Sequence, residues 1–202
     1  MARVILIRHG ESEGNRDRVF TLTPAVPLTD RGREQVRAAA AWVAARYAPR
    51  RIVASPFVRA QQTAEEMALI LGVSIETEDD LRERSYGDLA GQPYSILQTR
   101  TDFDPGAYWL WRPPGGETLI EVARRAGAVL DRIALAAPED DTIVVSHGAT
   151  MMSLWWHVTG AWREGRVARN AGIVVAEHRE GRWQSAALAE VEVAKPRSRS
   201  GG

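Results

Sequence analysis

Two short apolar runs in this chain end in the same way. Val4-Ile5-Leu6-Ile7 leads into Arg8-His9-Gly10-Glu11-Ser12, and Thr142-Ile143-Val144-Val145-Ser146 leads into His147-Gly148. Such runs of β-branched residues read as buried strands. Between them the apolar residues recur at helical spacing, so strands and helices alternate. That alternation implies a layered α/β fold with a mainly parallel central sheet. In open sheets of this kind ligands bind beyond the strand ends. Both tips carry a histidine, able to act as nucleophile, acid or base near neutral pH. The first also carries an arginine, whose fork of donors suits phosphate. Glycine after each histidine allows a sharp turn and a close backbone approach to a ligand.

The remaining elements follow in order. Residues 11–25 form a polar loop or short helix at the first strand tip. Thr29 is placed to cap a helix over 30–47, with Val36, Ala39, Ala40, Val43 and Tyr47 on its apolar face. Residues 51–54 read as a second strand. Ser55-Pro56 is expected to start the next helix, with serine as cap and proline in the first turn, which brings Arg59 to a helix N-terminus. Ala60, Ala64, Met67 and Leu71 give that helix its buried face and Gly72 ends it; residues 73–77 are a third strand. A long helix over 117–137 carries the stripe Leu119, Val122, Ala126, Val129, Leu130 and Ile133. A strand over 142–146 and a helix over 149–158 follow. Segments 172–178 and 183–191 read as a hairpin turning at Glu180-Gly181, which supplies an antiparallel edge.

Residues 80–116 are punctuated by glycine and proline and hold Tyr86, Tyr94, Tyr108, Trp109 and Trp111. A connection this long is usually functional. Its aromatics either form a satellite core, or Trp109 or Trp111 lines a pocket mouth. The whole is expected to be one domain over 1–194, with 80–116 as a substrate-site insert and a basic, disordered tail over 195–202.

Composition then excludes several classes of partner. Lys+Arg and Asp+Glu are each 26, so no net field favours nucleic acid or an anionic membrane. Phosphate binding would have to come from locally clustered arginines. Cysteine is absent, which removes disulfides and thiolate metal sites. No apolar run approaches the roughly 20 residues that span a bilayer. With no signal-peptide layout before the first strand, a cytoplasmic protein is expected.

Four segments also share a pattern: Arg8-His9-Gly10-Glu11-Ser12 with Asn15; Ser55-Pro56-Phe57-Val58-Arg59-Ala60-Gln61-Gln62-Thr63; Leu81-Arg82-Glu83-Arg84-Ser85-Tyr86-Gly87; and Val145-Ser146-His147-Gly148. Together, and in this order, they resemble the histidine phosphatase superfamily, the phosphoglycerate-mutase-like proteins, over about residues 2–185. The resemblance implies a three-layer α/β/α fold. It implies that His9 is the nucleophile that takes up a phosphoryl group. Arg8, Arg59 and His147 would hold the phosphate, with Gly148 beside them, and Glu83 would be the general acid. Asn15 would bind phosphate or substrate. No metal or organic cofactor is implied; the partners would be a small phosphorylated substrate and inorganic phosphate as product.

The chemistry of these residue types is consistent with that implication. Donors on several sides of a tetrahedral centre stabilise charge on its equatorial oxygens. A nucleophilic His9 needs one unprotonated nitrogen, so the other should donate to a group such as a backbone carbonyl. A neighbouring phosphate dianion favours the protonated form of Glu83. Ser12, Tyr86, Trp109, Trp111 and Arg112 are candidates for the substrate pocket. Arg84 and Arg100 are weighed as contacts to a substrate's distal charge, while Glu11, Asp30 and Asp88 read as solvated or capping residues and His157 and His178 as structural or surface ones.

Phosphatase and mutase differ in where the phosphoryl group goes next. True mutases of this family carry a longer insert with adjacent arginines; here Leu110-Trp111-Arg112-Pro113-Pro114 offers one arginine followed by prolines. The aromatic content points to a less charged, bulkier substrate, and so to a phosphomonoesterase. A cofactor-dependent phosphoglycerate mutase and a non-catalytic phospho-ligand-binding module are the alternatives. Leu22-Thr23-Pro24-Ala25 stands where many relatives have a glycine and an aspartate, so that loop is expected to gate the site differently. An edge strand or exposed aromatics could support a homodimer.

Overall fold

The computed structural model describes residues 1–21, 23–162 and 168–189. Leu22 of the loop expected to gate the site, residues 190 and 191 of the expected last strand and the basic tail lie outside the described residues. Six strands form one sheet: β1 (Ala2–Arg8), β2 (Pro49–Ala54), β3 (Ser74–Thr77), β4 (Asp141–Ser146), β5 (Ile173–Arg179) and β6 (Arg182–Ala189), in the order β3-β2-β4-β1-β5-β6. Strands β3, β2, β4 and β1 run parallel; β5 and β6 are antiparallel. The antiparallel edge is thus a two-stranded hairpin. Its turn residues Glu180 and Gly181 both have positive φ, 52° and 77°, as a tight two-residue turn requires.

Helices cover both faces. On one, α2 (Asp30–Ala44) and α3 (Val58–Leu71) bury Val36, Ala39, Ala40, Val43, Ala60, Ala64 and Met67 against Ile5, Ile7, Ile52 and Ile143. On the other, α4 (Leu119–Ala136) and α5 (Gly148–Thr159) bury Ala126, Val129, Leu130, Met151 and Leu154 against Val4, Leu6, Val53 and Val144. Alternate residues of each central strand feed alternate cores, which makes the three-layer α/β/α arrangement. A one-turn helix, α1 (Glu13–Arg16), follows the first strand tip.

Local details refine the sequence reading. Thr29 caps α2, accepting the Gly32 N–H. The α4 start is a reciprocal cap between Thr118 and Glu121 rather than Glu117. Ser55 does not cap α3: the cap position is Phe57, without a side-chain bond. Its hydroxyl is used elsewhere, as described below. His178 is not a surface residue but is buried against Trp183.

The β1 tip leans on α2 without intervening side chains. A Cβ on Gly10 would lie 2.4 Å from the Gly32 carbonyl oxygen, and one on Gly32 only 2.1 Å from the Glu11 carbonyl oxygen. Only two glycines allow this approach.

Candidate active site

Parallel pairing in register places Arg8 beside Ser146, so the chain leaves β1 and β4 side by side at the same sheet edge. His9 and His147 therefore become neighbours, with ring centroids 5.2 Å apart. The adjacent strand β2 ends one strand further along and delivers α3, whose second residue is Arg59. His9, Arg59 and His147 are buried polar residues.

The hydrogen bonds of His9 fix its tautomer. Its Nδ1 lies 2.7 Å from the Gly10 carbonyl, which can only accept, so the proton is on Nδ1. Nε2 is left with a lone pair and accepts from Arg59 Nε at 3.2 Å. Burial, followed by the charges of Arg59 and Arg8, holds the His9 pKa well below its ordinary value of 6.5, against the opposing effect of the Gly10 carbonyl. The ring is neutral in consequence.

His147 is fixed by a relay from α3. Ser55 Oγ accepts the Phe57 N–H at 3.4 Å and shares a hydrogen bond with His147 Nε2 at 2.7 Å. Burial, followed by Arg59 and His9, lowers this imidazole's pKa also. Three polar nitrogens of the cluster are buried without a hydrogen-bond partner among the described residues: Arg8 Nε, Arg59 Nη1 and His147 Nδ1. An unmet buried donor costs about 1–3 kcal/mol. Arg8 Nε and Arg59 Nη1 are cationic donors, and two such groups beside an imidazole make a receptor for an anion.

Glu83 closes the other side of this pocket. It arrives on the segment after β3 and is held at the N-terminus of α5. Its Oε1 accepts from the Arg84 N–H, the Thr150 N–H and Thr150 Oγ1 at 2.9, 3.1 and 3.2 Å; Oε2 accepts from the Ala149 N–H at 3.3 Å. Arg8, His9, Arg59, Glu83 and Gly148 all line one cavity of about 560 Å³. His147 stands just behind that wall, its ring against those of His9 and Phe57. Asn15 also lines the cavity. Its Oδ1 accepts from Ser12 Oγ and from Asn170 Nδ2, at 3.1 and 2.8 Å, while Asn170 also reaches the His9 carbonyl.

Of the substrate-pocket candidates only Tyr86 lines the cavity. Ser12 is buried under α1 and serves Asn15. Trp111 is a core residue of a satellite cluster with Phe20 and Leu89. Trp109 stacks on Trp162, outside the cavity. Arg112 is tied to Glu121 at 2.7 Å on the surface. The insert does contribute walls, but through Tyr94, Ala90 and Leu97; Phe20, Phe57 and Met152 complete the apolar lining and Thr21, Thr23 and Pro24 the rim. Thr23 and Pro24 belong to the loop expected at the site; the other cavity contacts the sequence reading missed. Tyr94 had a signal of its own, an aromatic after Pro93 in a glycine- and proline-rich stretch, whereas nothing local marks Phe20 or Met152. Arg100 is paired with Asp102. Arg84 borders the cavity, but its guanidinium is spent on the carbonyls of Trp111 and Glu117 at 2.5 and 2.7 Å. Among the described residues no cluster of histidine and carboxylate side chains is arranged to hold a metal ion.

Comparisons with known proteins give the family and the fold. Relatives include the uncharacterized phosphatase PhoE of Bacillus subtilis, 32% identical over 186 residues, covering 91% of this chain and 92% of the relative. A 2,3-bisphosphoglycerate-dependent phosphoglycerate mutase of Azorhizobium caulinodans is 32% identical over 164 residues, 75% of this chain and 78% of the relative. In fold the chain is similar to a mycobacterial glucosyl-3-phosphoglycerate phosphatase solved with vanadate, at TM-score 0.81 and 24% identity, over 95% of this chain and 99% of that one. Residues 4–191 match the family described as histidine phosphatase superfamily (branch 1). A neutral imidazole at one strand tip, a second imidazole at the next and arginines between them are thus set on a matching fold, and the chain belongs to the histidine phosphatase superfamily.

Proposed function

We propose that the protein is a phosphomonoesterase working through a phosphohistidine on His9. The observation that carries this reading is the lone pair of His9 Nε2, held against Arg59 in a cluster where Arg8 Nε and Arg59 Nη1 are buried without a partner among the described residues. Nε2 attacks phosphorus, an N–P bond forms and the P–O ester bond breaks. Arg8, Arg59 and His147 stabilise the equatorial oxygens; Arg59 Nε exchanges the His9 lone pair for a phosphoryl oxygen. The Glu83 carboxyl gives its proton to the departing alkoxide. Water then attacks the phosphohistidine, Glu83 takes up the proton that water loses, and inorganic phosphate leaves. No step requires a metal or organic cofactor.

Hydrolysis is favoured over mutase chemistry by the rest of the cavity. Its far walls are Phe20, Tyr86, Tyr94, Leu97 and Met152. The arginines on that side are committed: Arg84 to backbone carbonyls, and Arg82 to Asp80 and Glu117 at 3.0 and 3.6 Å. A bisphosphate primer needs cations at its second acidic end. An uncharged, partly apolar alcohol suits these walls better. The mutase reading keeps the support of the mutase relative.

The test is hydrolysis of p-nitrophenyl phosphate without added metal, with His9→Ala as comparison. Turnover that disappears in His9→Ala, with an acid-labile phosphoryl group trapped on the wild-type protein only, is the expected result. Equal activity in both proteins, or none in either, would leave a phospho-ligand-binding module. Incubation with 3-phosphoglycerate and a bisphosphoglycerate primer separates the two enzyme readings; isomerisation faster than phosphate release would make the protein a mutase.

A further inference from the structure

The segment that carries Glu83 has no regular structure of its own beyond a short turn at Asp79–Leu81. Two side chains of α4 tie it, Arg132 to Glu78 at its start and Arg125 to the backbone around Glu83. Arg125 has five N–H donors and uses them in five hydrogen bonds. Nε and Nη2 grip the two Glu117 carboxylate oxygens, both at 2.9 Å. Nη1 donates to the carbonyls of Asp80 and Arg82 at 2.7 and 2.9 Å, and Nη2 also donates to the Glu83 carbonyl at 3.2 Å. Glu117 continues the attachment by accepting the Ser85 N–H at 2.8 Å. The Glu83 backbone is therefore tied on both sides.

This ion pair is only 10% and 19% exposed on its two sides. A pair so far out of water is weak support for stability, since apolar replacements are often neutral or better. What it supplies is geometry. A general acid must come within about 2.6–3.2 Å of the oxygen it protonates, and a misplacement of roughly 1 Å can cost about 100-fold. The α5 amides orient the Glu83 carboxylate, and Thr150 Oγ1 and Ser146 Oγ hold the Arg82 and Leu81 carbonyls at 2.9 and 2.8 Å, but the Glu83 carbonyl itself is held by Arg125. We propose that Arg125, through its ion pair with Glu117, is the positioning residue that sets Glu83 against the leaving oxygen. The inference rests on the reading of Glu83 as general acid given above.

Leaving-group dependence tests it. Benzyl phosphate and 2,4-dinitrophenyl phosphate have similar ring size, but only the first needs its departing oxygen protonated. kcat/KM reports the steps through that departure, independent of phosphohistidine hydrolysis. Glu83→Gln sets the benchmark: a loss on the order of 10²–10⁴-fold with benzyl phosphate and little change with the dinitrophenyl ester. Arg125→Met is expected to reproduce the same split, at about 100-fold with benzyl phosphate. The double variant Arg125→Met/Glu117→Gln, which leaves no buried charge unpaired, is expected to keep its thermal midpoint and show the split too.

Equal losses on both esters, or none on either, in Arg125→Met and the double variant would overturn the positioning role while leaving Glu83 in place. A double variant that does not fold would make the pair a stability element and overturn it as well. If Glu83→Gln itself fails to separate the esters, the general-acid reading falls, and the role of Arg125 falls with it.

Discussion

At the scale of single residues, the site is a matter of which nitrogen carries a proton. The Gly10 carbonyl gives His9 its Nδ1–H, and Ser55 holds the His147 ring through Nε2. Desolvation beside Arg59 and Arg8 keeps both rings from charging. The sign of the effect is testable. A depressed histidine pKa means that the neutral, nucleophilic form persists as pH falls through 6.5 and is lost only lower. In a ring-by-ring NMR titration of the four histidines, His9 and His147 should therefore remain neutral at pH 6.5. A His9 midpoint at or above that value would remove the basis for its proposed role. Residues at this end of the cavity were legible because each follows an apolar strand or opens a helix at a recognisable spacing. Trp109, Trp111 and Arg112 were not, because their sequence neighbourhood does not say which way a side chain leaves an irregular loop. Trp111 is turned inward to Phe20 and Leu89, and Arg112 is drawn off by Glu121.

At the scale of elements, the precision of the site depends on how the β1 tip sits on α2. Gly10 and Gly32 meet backbone to backbone, and the contact is reinforced by the Thr29 N–H to the Glu11 carbonyl and the Glu11 N–H to Gln35, both at 2.9 Å. A methyl group at residue 32 has to displace the Glu11 carbonyl, two residues from His9. Gly32→Ala is expected to cost about 1–3 kcal/mol and to lower kcat/KM in proportion greater than the loss of folded protein, measured by thermal denaturation and initial rates on the same samples. Unchanged stability and activity together would mean that the tip can shift without consequence. Element types were readable from periodicity, including the Glu180-Gly181 hairpin. The α3 cap was misread for a physical reason: the Ser55 hydroxyl that the local pattern assigns to the helix is taken by His147, 92 residues away in the chain.

At the scale of the whole molecule, the alternation of strands and helices was enough to give the layers but not the strand order, which depends on long-range pairing. That order has a consequence for how the polypeptide comes into being. The earliest of the six strands in the sequence, β1, lies between β4 and β5 in the sheet, and both come more than 130 residues after it. Until residue 141 has been synthesised the histidine-bearing strand has both hydrogen-bonding edges bare, although β2 and β3 can already pair. A fragment ending at residue 140 should therefore leave Val4–Ile7 protease-accessible and prone to self-association, as unpaired apolar edges are, and chains extended through residue 189 should protect it; early protection in the short fragment would refute this order of events. Birth of the protein thus passes through an interval in which its most reactive strand is an orphan, and a cell making it in quantity has to shelter that strand until its two late-arriving companions close around it.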